Sequence, residues 1–166
     1  TAVSGGASDR VYLRTLGATS LACSAGLGLL FCEYTIGIYV LPDATNDYVF
    51  VCGFIDVINN SYSVDGAWWM IDRSVSNNWL CVTSSNSSRT ITDSGIPWAV
   101  AAFKLSVEIT AAGASVNFYN GETLAITNID NIPNGVTRAF GVGSGYYKKA
   151  GTASSLDIYA QDRIRV

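Results

Sequence analysis

Three of the four tryptophans of this chain lie in one short stretch, and that stretch limits what the chain can fold into. Residues 65–73 begin with Asp-Gly, a turn signal because glycine accepts positive φ at no steric cost, and continue with an aromatic and apolar run typical of a strand. From Trp79 onward side chains alternate, so Cys81 and Thr83 share its face. The stretch predicts two antiparallel strands joined by a short polar loop.

The rest of the chain consists of short strand-like segments separated by turn residues, without a helical period. Residues 103–109 alternate, and their odd-numbered members are predicted to face the core together with Val116 and Phe118. Residues 48–55 are almost continuously apolar, as in a central strand covered on both faces. The pattern predicts an all-β chain of roughly ten to twelve strands, arranged as an antiparallel two-sheet sandwich with a jelly-roll topology.

The length favours one domain over residues 1–166, which is large enough for a hydrophobic core without disulfides. Residues 1–8 are small and polar, and predict a flexible N-terminal arm. Charged residues make up only 14% of the chain and the net charge is −3. Without a basic patch we expect no nucleic-acid binding, and without a long apolar run we expect no membrane insertion.

Metal and cofactor chemistry has few candidate residues in this sequence. There is no histidine, and the four cysteines form no C-x-x-C pair, so a zinc site is not expected. Asp56 with nearby asparagines, or Asp43 with Asn46 and Asp47, could offer oxygen atoms to a cation, but turn roles explain both groups more simply. We therefore expect no metal, no cofactor and four reduced thiols, with at least one disulfide as the alternative.

A series of segments after Asp65 follows an order found in a known fold. The segments are Asp65-Gly66, Asn78-Trp79, Arg89 to Gly95, Phe103 to Glu108, Val116 to Gly121, Thr127 to Pro133 and Leu156 to Tyr159. This order resembles the concanavalin A-like (lectin/glucanase) jelly rolls in virion proteins of tailed bacteriophages. The resemblance implies a domain of a capsid, tail fibre or spike that is often oligomeric, and that binds host glycans or only holds the fibre together.

Glucanases with the resembling fold carry closely spaced acids on one strand. Retaining hydrolysis needs two carboxylates about 5 Å apart, whereas Glu33, Glu108 and Glu122 are isolated along this sequence. The lack of histidine also excludes a Ser-His-Asp triad. We therefore expect no catalytic residues and no enzyme, and a glycoside hydrolase is the weakest alternative.

Five aromatic residues are the candidate glycan-binding residues. Trp68 and Trp69 are adjacent and so point to opposite faces of a strand, which predicts that one is buried in the core and the other is exposed or at an interface. Trp98 follows a proline in a predicted loop, and Tyr146 and Tyr147 lie in a predicted glycine-rich loop. Exposed aromatic rings can stack on sugar rings, although oligomer contacts or rim packing are the alternative for these loop residues. Core or subunit packing is expected for Trp79.

Together these observations predict a non-enzymatic structural or adsorption domain of a phage virion, made in the bacterial cytoplasm. The alternative is a lectin-like module that binds a host surface glycan. The low charge predicts an unusually apolar surface and hence self-association, for which a homotrimer with Trp68, Trp69 or Trp98 at the contact is favoured. The expected partners are further copies of the chain and other virion proteins.

Overall fold

The computed structural model describes residues 10–13, 24–56, 63–134, 140–150 and 159–165. Within these ranges the chain forms strands and no helix, so none of the described residues forms a helix able to span a membrane. The strands are β1 Arg10–Leu13, β2 Leu30–Gly37, β3 Asp47–Ile55, β4 Gly66–Asp72, β5 Asn78–Ser85, β6 Ser88–Pro97, β7 Ala102–Ile109, β8 Val116–Asn120, β9 Thr123–Asn128, β10 Gly141–Ala150 and β11 Tyr159–Arg165.

The strands form two antiparallel sheets, which confirms the predicted all-β sandwich. The six-stranded sheet has the order β1-β10-β3-β4-β5-β6, and the five-stranded sheet has the order β11-β2-β7-β8-β9. The predicted tryptophan hairpin is β4 and β5, paired from Gly66 opposite Ser84 to Met70 opposite Leu80. Non-consecutive neighbours such as β10 and β3 show the crossovers of a jelly roll.

The main core fills the space between the two sheets. Trp69 lies at its centre, with its ring edge-on to Trp79 at 6.2 Å and to Phe118 at 5.5 Å. The face predicted for residues 103–109 is confirmed, because its odd-numbered residues from 105 onward are fully buried and Phe103 packs at the margin. The contact between Trp69 and Phe118 joins the two sheets across the core.

A second apolar cluster lies on the outer face of the six-stranded sheet. Its members are all buried within the single chain: Val49, Val51, Ile55, Trp68, Met70, Leu80 and Val82. The predicted central strand is β3, which is covered on both faces as expected. A Cβ atom added to Gly53 would lie 2.5 Å from the carbonyl oxygen of Ala67, so only glycine fits where β3 passes β4.

A glycine-rich loop was predicted for residues 145–151, but the described residues 145–150 do not form it. Residues up to Ala150 belong to β10, which pairs with β3 on one side and with β1 on the other. Gly141, Gly143 and Gly145 alternate along this strand, so a small-residue pattern that is typical of a loop lies on one face of a paired strand. Asp65-Gly66 was predicted as a turn, but Gly66 instead begins β4 at φ 151°, against the backbone of Phe54.

Other boundaries differ by a few residues. The apolar residues 27–40 predict one long strand and residues 94–98 predict a loop, whereas the structure pairs only Leu30 to Gly37 and continues β6 to Pro97. Three of the four cysteines predicted to be reduced, Cys32, Cys52 and Cys81, are buried and form no disulfide. The predicted arm 1–8 and Cys23 lie outside the described residues.

Candidate functional site

Trp68 and Trp69 are both fully buried in the single chain. Trp69 faces the main core, and Trp68 faces the cluster on the outer side of the six-stranded sheet. The prediction that one of the two is exposed or at a subunit contact is therefore wrong, because β4 is covered on both faces without a second chain. Neither ring presents a face on which a sugar could stack.

The other three predicted aromatics are half-buried and do not share one surface. Trp98 packs against the margin of the main core from the loop after β6, where its amide N–H donates to the carbonyl oxygen of Asn77 at 3.4 Å. Tyr146 points inward from β10, and its ring lies 5.2 Å from that of Tyr48. Tyr147 follows it on the opposite face of the strand. The five predicted residues thus do not form a common site.

The outer face of the five-stranded sheet carries the side chains that alternate with the core residues of β2, β7, β8 and β9. We call this surface the polar face, and it consists of Phe31, Glu33, Thr35, Lys104, Ser106, Glu108, Asn117, Tyr119 and Thr127. Strand pairing brings together residues far apart in sequence, since Phe31 lies opposite Glu108, which in turn lies opposite Asn117. Most of these side chains are partly exposed, and only Ser106 is buried.

A hydrogen-bonded chain organises one half of the polar face. Asn117 Nδ2 donates to Glu108 Oε1 at 2.9 Å, and the Tyr119 hydroxyl donates to the same oxygen at 3.4 Å. Thr127 Oγ1 donates to Asn117 Oδ1 at 2.8 Å and so fixes the orientation of the amide. Because both contacts to Glu108 use Oε1, the carboxylate is held in place while its Oε2 can accept another hydrogen bond.

Tyr119 stays protonated beside this carboxylate. Burial raises the pKa of the Tyr119 phenol, and the negative charge of Glu108 and its hydrogen bond raise it further. At neutral pH the hydroxyl is therefore a donor, and the ring remains an uncharged aromatic surface.

Glu33 and Lys104 organise the other half of the polar face. Lys104 Nζ lies 3.1 Å from Glu33 Oε2, and Ser106 Oγ donates weakly to the same oxygen at 3.5 Å. Glu33 and Glu108, which are isolated in the sequence, lie on neighbouring strands at diagonal positions, so their backbones are about 7–8 Å apart. The structure thus places two carboxylates on one solvent-facing surface.

Sequence reasoning missed most of this surface. Phe31 and Tyr119 are its aromatic residues, and neither was among the candidates. Along β2, residues that are buried alternate with residues that are partly exposed. This alternation was the one local signal that β2 has a solvent-facing side. Which other strand would lie beside β2 could not be deduced from this local pattern.

Of the residues considered as cation ligands, Asp43 and Asp56 have turn roles, whereas Asp47 begins β3 and its Oδ1 lies 3.7 Å from Arg73 Nε. Asp43 Oδ1 accepts the amide N–H groups of Thr45 and Asn46 at 2.7 and 2.6 Å, and these bonds lower the pKa of Asp43. Asp56 Oδ1 accepts the amide N–H of Val64 at 3.0 Å. In the described part of the chain no three His, Cys, Asp or Glu residues are grouped so that they could hold a metal ion.

The sequence matches no protein-family model and no curated protein. The structure is similar to the carbohydrate recognition domain of Emp46p in its metal-free form, with a TM-score of 0.62, 7% identity, and 98% of this chain and 80% of that chain covered. It is also similar to the β-glucanase of Bacillus licheniformis, with a TM-score of 0.59, 13% identity, and 95% and 77% covered. For the alginate lyase from Corynebacterium sp. the values are 0.52, 12%, 92% and 68%. The chain therefore has the concanavalin A-like jelly-roll fold, which lectin and glucanase domains share.

Proposed function

We propose that this chain is a non-enzymatic carbohydrate-binding domain and that its polar face binds a glycan. The observation that carries the proposal is the arrangement of Glu108, Asn117 and Tyr119, in which an oriented amide and phenol hold a carboxylate on a solvent-facing sheet. Sugar hydroxyls donate to carboxylates and accept from amides, and apolar sugar faces pack on aromatic rings. The polar face offers all three kinds of contact in one place.

The shape of the surface supports an extended ligand. β2 rises by about 3.3 Å per residue, so the distance from Phe31 to Thr35 along the strand is about 13 Å. Glu33 lies between these two positions and Lys104 lies opposite Thr35, and they offer an acceptor and a donor. An oligosaccharide lying along β2 could therefore contact the polar-face residues of β2 and the side chains beside them on β7.

The surroundings of the two carboxylates support binding rather than hydrolysis. Glycosidic bond cleavage needs one carboxyl group in its protonated form to donate a proton to the leaving oxygen. Here both carboxylates act as acceptors instead: Glu33 pairs with Lys104, and Glu108 accepts from Asn117 and Tyr119. These carboxylates are suited to accepting hydrogen bonds from hydroxyl groups.

We also propose a biological setting, in which the chain belongs to a phage virion protein that adsorbs to host glycans. It is supported by the order of segments after Asp65, which resembles virion jelly rolls. A homotrimer belongs to the same proposal, with Trp98 as the remaining tryptophan for the subunit contact, since it is only half-buried. Sedimentation analysis at micromolar concentration tests the trimer, and a monomer mass would refute it.

Binding of the purified chain to a glycan array, followed by calorimetry, tests the proposed function. Asn117→Ala removes the amide that orients Glu108, and Glu108→Gln removes the charge, so each should weaken binding at least tenfold. Val75→Ala is the matched control, because Val75 is exposed and lies between β4 and β5 of the other sheet. Near-UV circular dichroism verifies that each variant is folded. Unchanged affinity in both polar-face variants, or no bound glycan at all, would refute the proposal.

A further inference from the structure

An apolar pocket of about 150 Å³ lies where β2 ends and β7 begins. It is lined by Gly37, Ile38, Tyr39, Val100, Ala101 and Ala102. Gly37 and Ala102 lie opposite each other, two residues beyond Thr35 and two before Lys104, so they are on the same side of the sheet as the polar face. The pocket therefore continues the polar face at one end.

The segment that follows β2 and the segment that precedes β7 lie side by side and form the pocket. The amide N–H of Ile38 donates to the carbonyl oxygen of Ala101 at 3.0 Å and joins them. Tyr39 folds back over Gly37, since a Cβ atom on Gly37 would lie 3.4 Å from Tyr39 Cε2. Tyr39 and Val100 are each 61% exposed, so two large, mostly apolar side chains that reach into the solvent flank the opening of the pocket.

We infer that this pocket receives the methyl group of a 6-deoxyhexose residue in the bound glycan, an inference that rests on the proposed function. Apart from the Tyr39 hydroxyl, the lining side chains are apolar, and the backbone groups of Ile38 and Ala101 already bond to each other. An apolar cavity of about 150 Å³ holds a group up to the size of benzene, so a methyl group and the adjoining ring edge fit.

Because the pocket adjoins the polar face, a substituent of the bound glycan is a better candidate for its ligand than an unrelated molecule. At about 3.3 Å per residue, Gly37 lies about 13 Å from Glu33 and about 20 Å from Phe31 along β2. One oligosaccharide of several residues can span these distances and place one residue over the pocket. A 6-hydroxyl group in the same place would lose water against a mostly apolar lining in which the Tyr39 hydroxyl is the only polar side-chain group, and such a loss typically weakens binding by about tenfold to a hundredfold.

Nuclear magnetic resonance titration with paired monosaccharides tests the inference directly. Methyl α-L-rhamnopyranoside and methyl α-L-mannopyranoside differ only in the 6-hydroxyl group, as do methyl α-L-fucopyranoside and methyl α-L-galactopyranoside. The deoxy member of at least one pair should shift the methyl signals of Val100, Ala101 and Ala102, with at least tenfold tighter binding than its hydroxylated counterpart. Equal binding within both pairs, or no shift at these methyl groups, would overturn the inference.

Variants separate this inference from the proposed function. Tyr39→Ala removes one wall of the pocket and should abolish the preference for the deoxy sugar, whereas Val75→Ala should leave it unchanged. Asn117→Ala should weaken oligosaccharide binding but leave the monosaccharide shifts at the pocket. If Asn117→Ala weakens the binding of array glycans but Tyr39→Ala has no effect, only the inference about the pocket fails. If the pocket binds the deoxy sugar but Asn117→Ala changes nothing, the proposed use of the polar face fails.

Discussion

Trp69 Nε1 donates a hydrogen bond of 3.0 Å to the carbonyl oxygen of Ser106, and this bond crosses the core from one sheet to the other. Trp69 belongs to β4 in the six-stranded sheet, and Ser106 belongs to β7 in the five-stranded sheet. The side chain of Ser106 lies on the far side of β7, where it donates to Glu33. The tryptophan hairpin therefore positions the strand that carries the centre of the polar face.

The two adjacent tryptophans should differ in their contribution to stability. Trp69→Phe removes the hydrogen bond to Ser106, whereas Trp68 Nε1 is buried with no partner in the described structure, so Trp68→Phe removes no such bond. We expect Trp69→Phe to lower the free energy of unfolding by about 1 kcal/mol more than Trp68→Phe, since a net hydrogen bond contributes about that much. Urea denaturation measures both. An equal loss in the two variants would show that the Ser106 bond contributes nothing.

Phe118 tests the register of β8. It is fully buried, and its ring packs edge-on to Trp69. Phe118→Ala should cost about 3–5 kcal/mol, the usual loss for truncating a buried aromatic side chain. Leu124→Ala on β9 is the control, because Leu124 is 50% exposed and its truncation should cost much less. A loss below about 1 kcal/mol for Phe118→Ala would mean that the two faces of β8 are exchanged.

Sequence reasoning succeeded where a strand has one buried and one solvent-facing side. In β7 and β8 the alternation of apolar and polar residues determines which side chains reach the core. It failed for Trp68 because all seven residues of β4 are buried, and a strand covered on both faces shows no alternation. The same near-continuous apolar pattern was interpreted correctly in β3.

The polar face could not be predicted because it depends on long-range pairing. Ser106 and Glu33 are 73 residues apart in sequence and become neighbours only when β7 pairs with β2. Likewise, the glycines of β10 locally favour a loop. The strand forms nonetheless, because it pairs with β3 on one side and with β1 on the other. Local propensity contains no information about such partners.

Stability should fall at alkaline pH because buried groups must stay protonated in the folded chain. Burial raises the pKa of the thiols of Cys52 and Cys81 and of the Tyr48 phenol, with smaller effects from nearby groups. When unfolded, these groups ionise near 9.0 and 10.0, so their contribution is full below about pH 9 and is lost as the pH rises.

The expected slope is up to about 1.4 kcal/mol per pH unit for each group. Urea midpoints measured from neutral pH to above pH 10 give this slope, and Cys52→Ala should make it shallower. A midpoint that stays constant over this range would contradict the prediction.

The last prediction concerns two lysine ion pairs in different surroundings. Lys149 Nζ lies 2.7 Å from Asp72 Oδ1, and the Asp72 side chain is only 3% exposed. Lys149→Met would leave that carboxylate with the Ser74 hydroxyl and amide as its donors, and should cost about 2–4 kcal/mol because a buried charge loses its counter-ion.

Lys104→Met is the matched control for that pair. The Lys104 side chain is 50% exposed, so its pair with Glu33 is screened by water and its loss should cost about 0–1 kcal/mol. Combining Lys149→Met with Asp72→Asn should recover part of the stability, because the second change removes the unpaired charge. Similar losses for the two lysine variants, or no recovery in the double variant, would mean that the Asp72 carboxylate reaches solvent when Lys149 is removed.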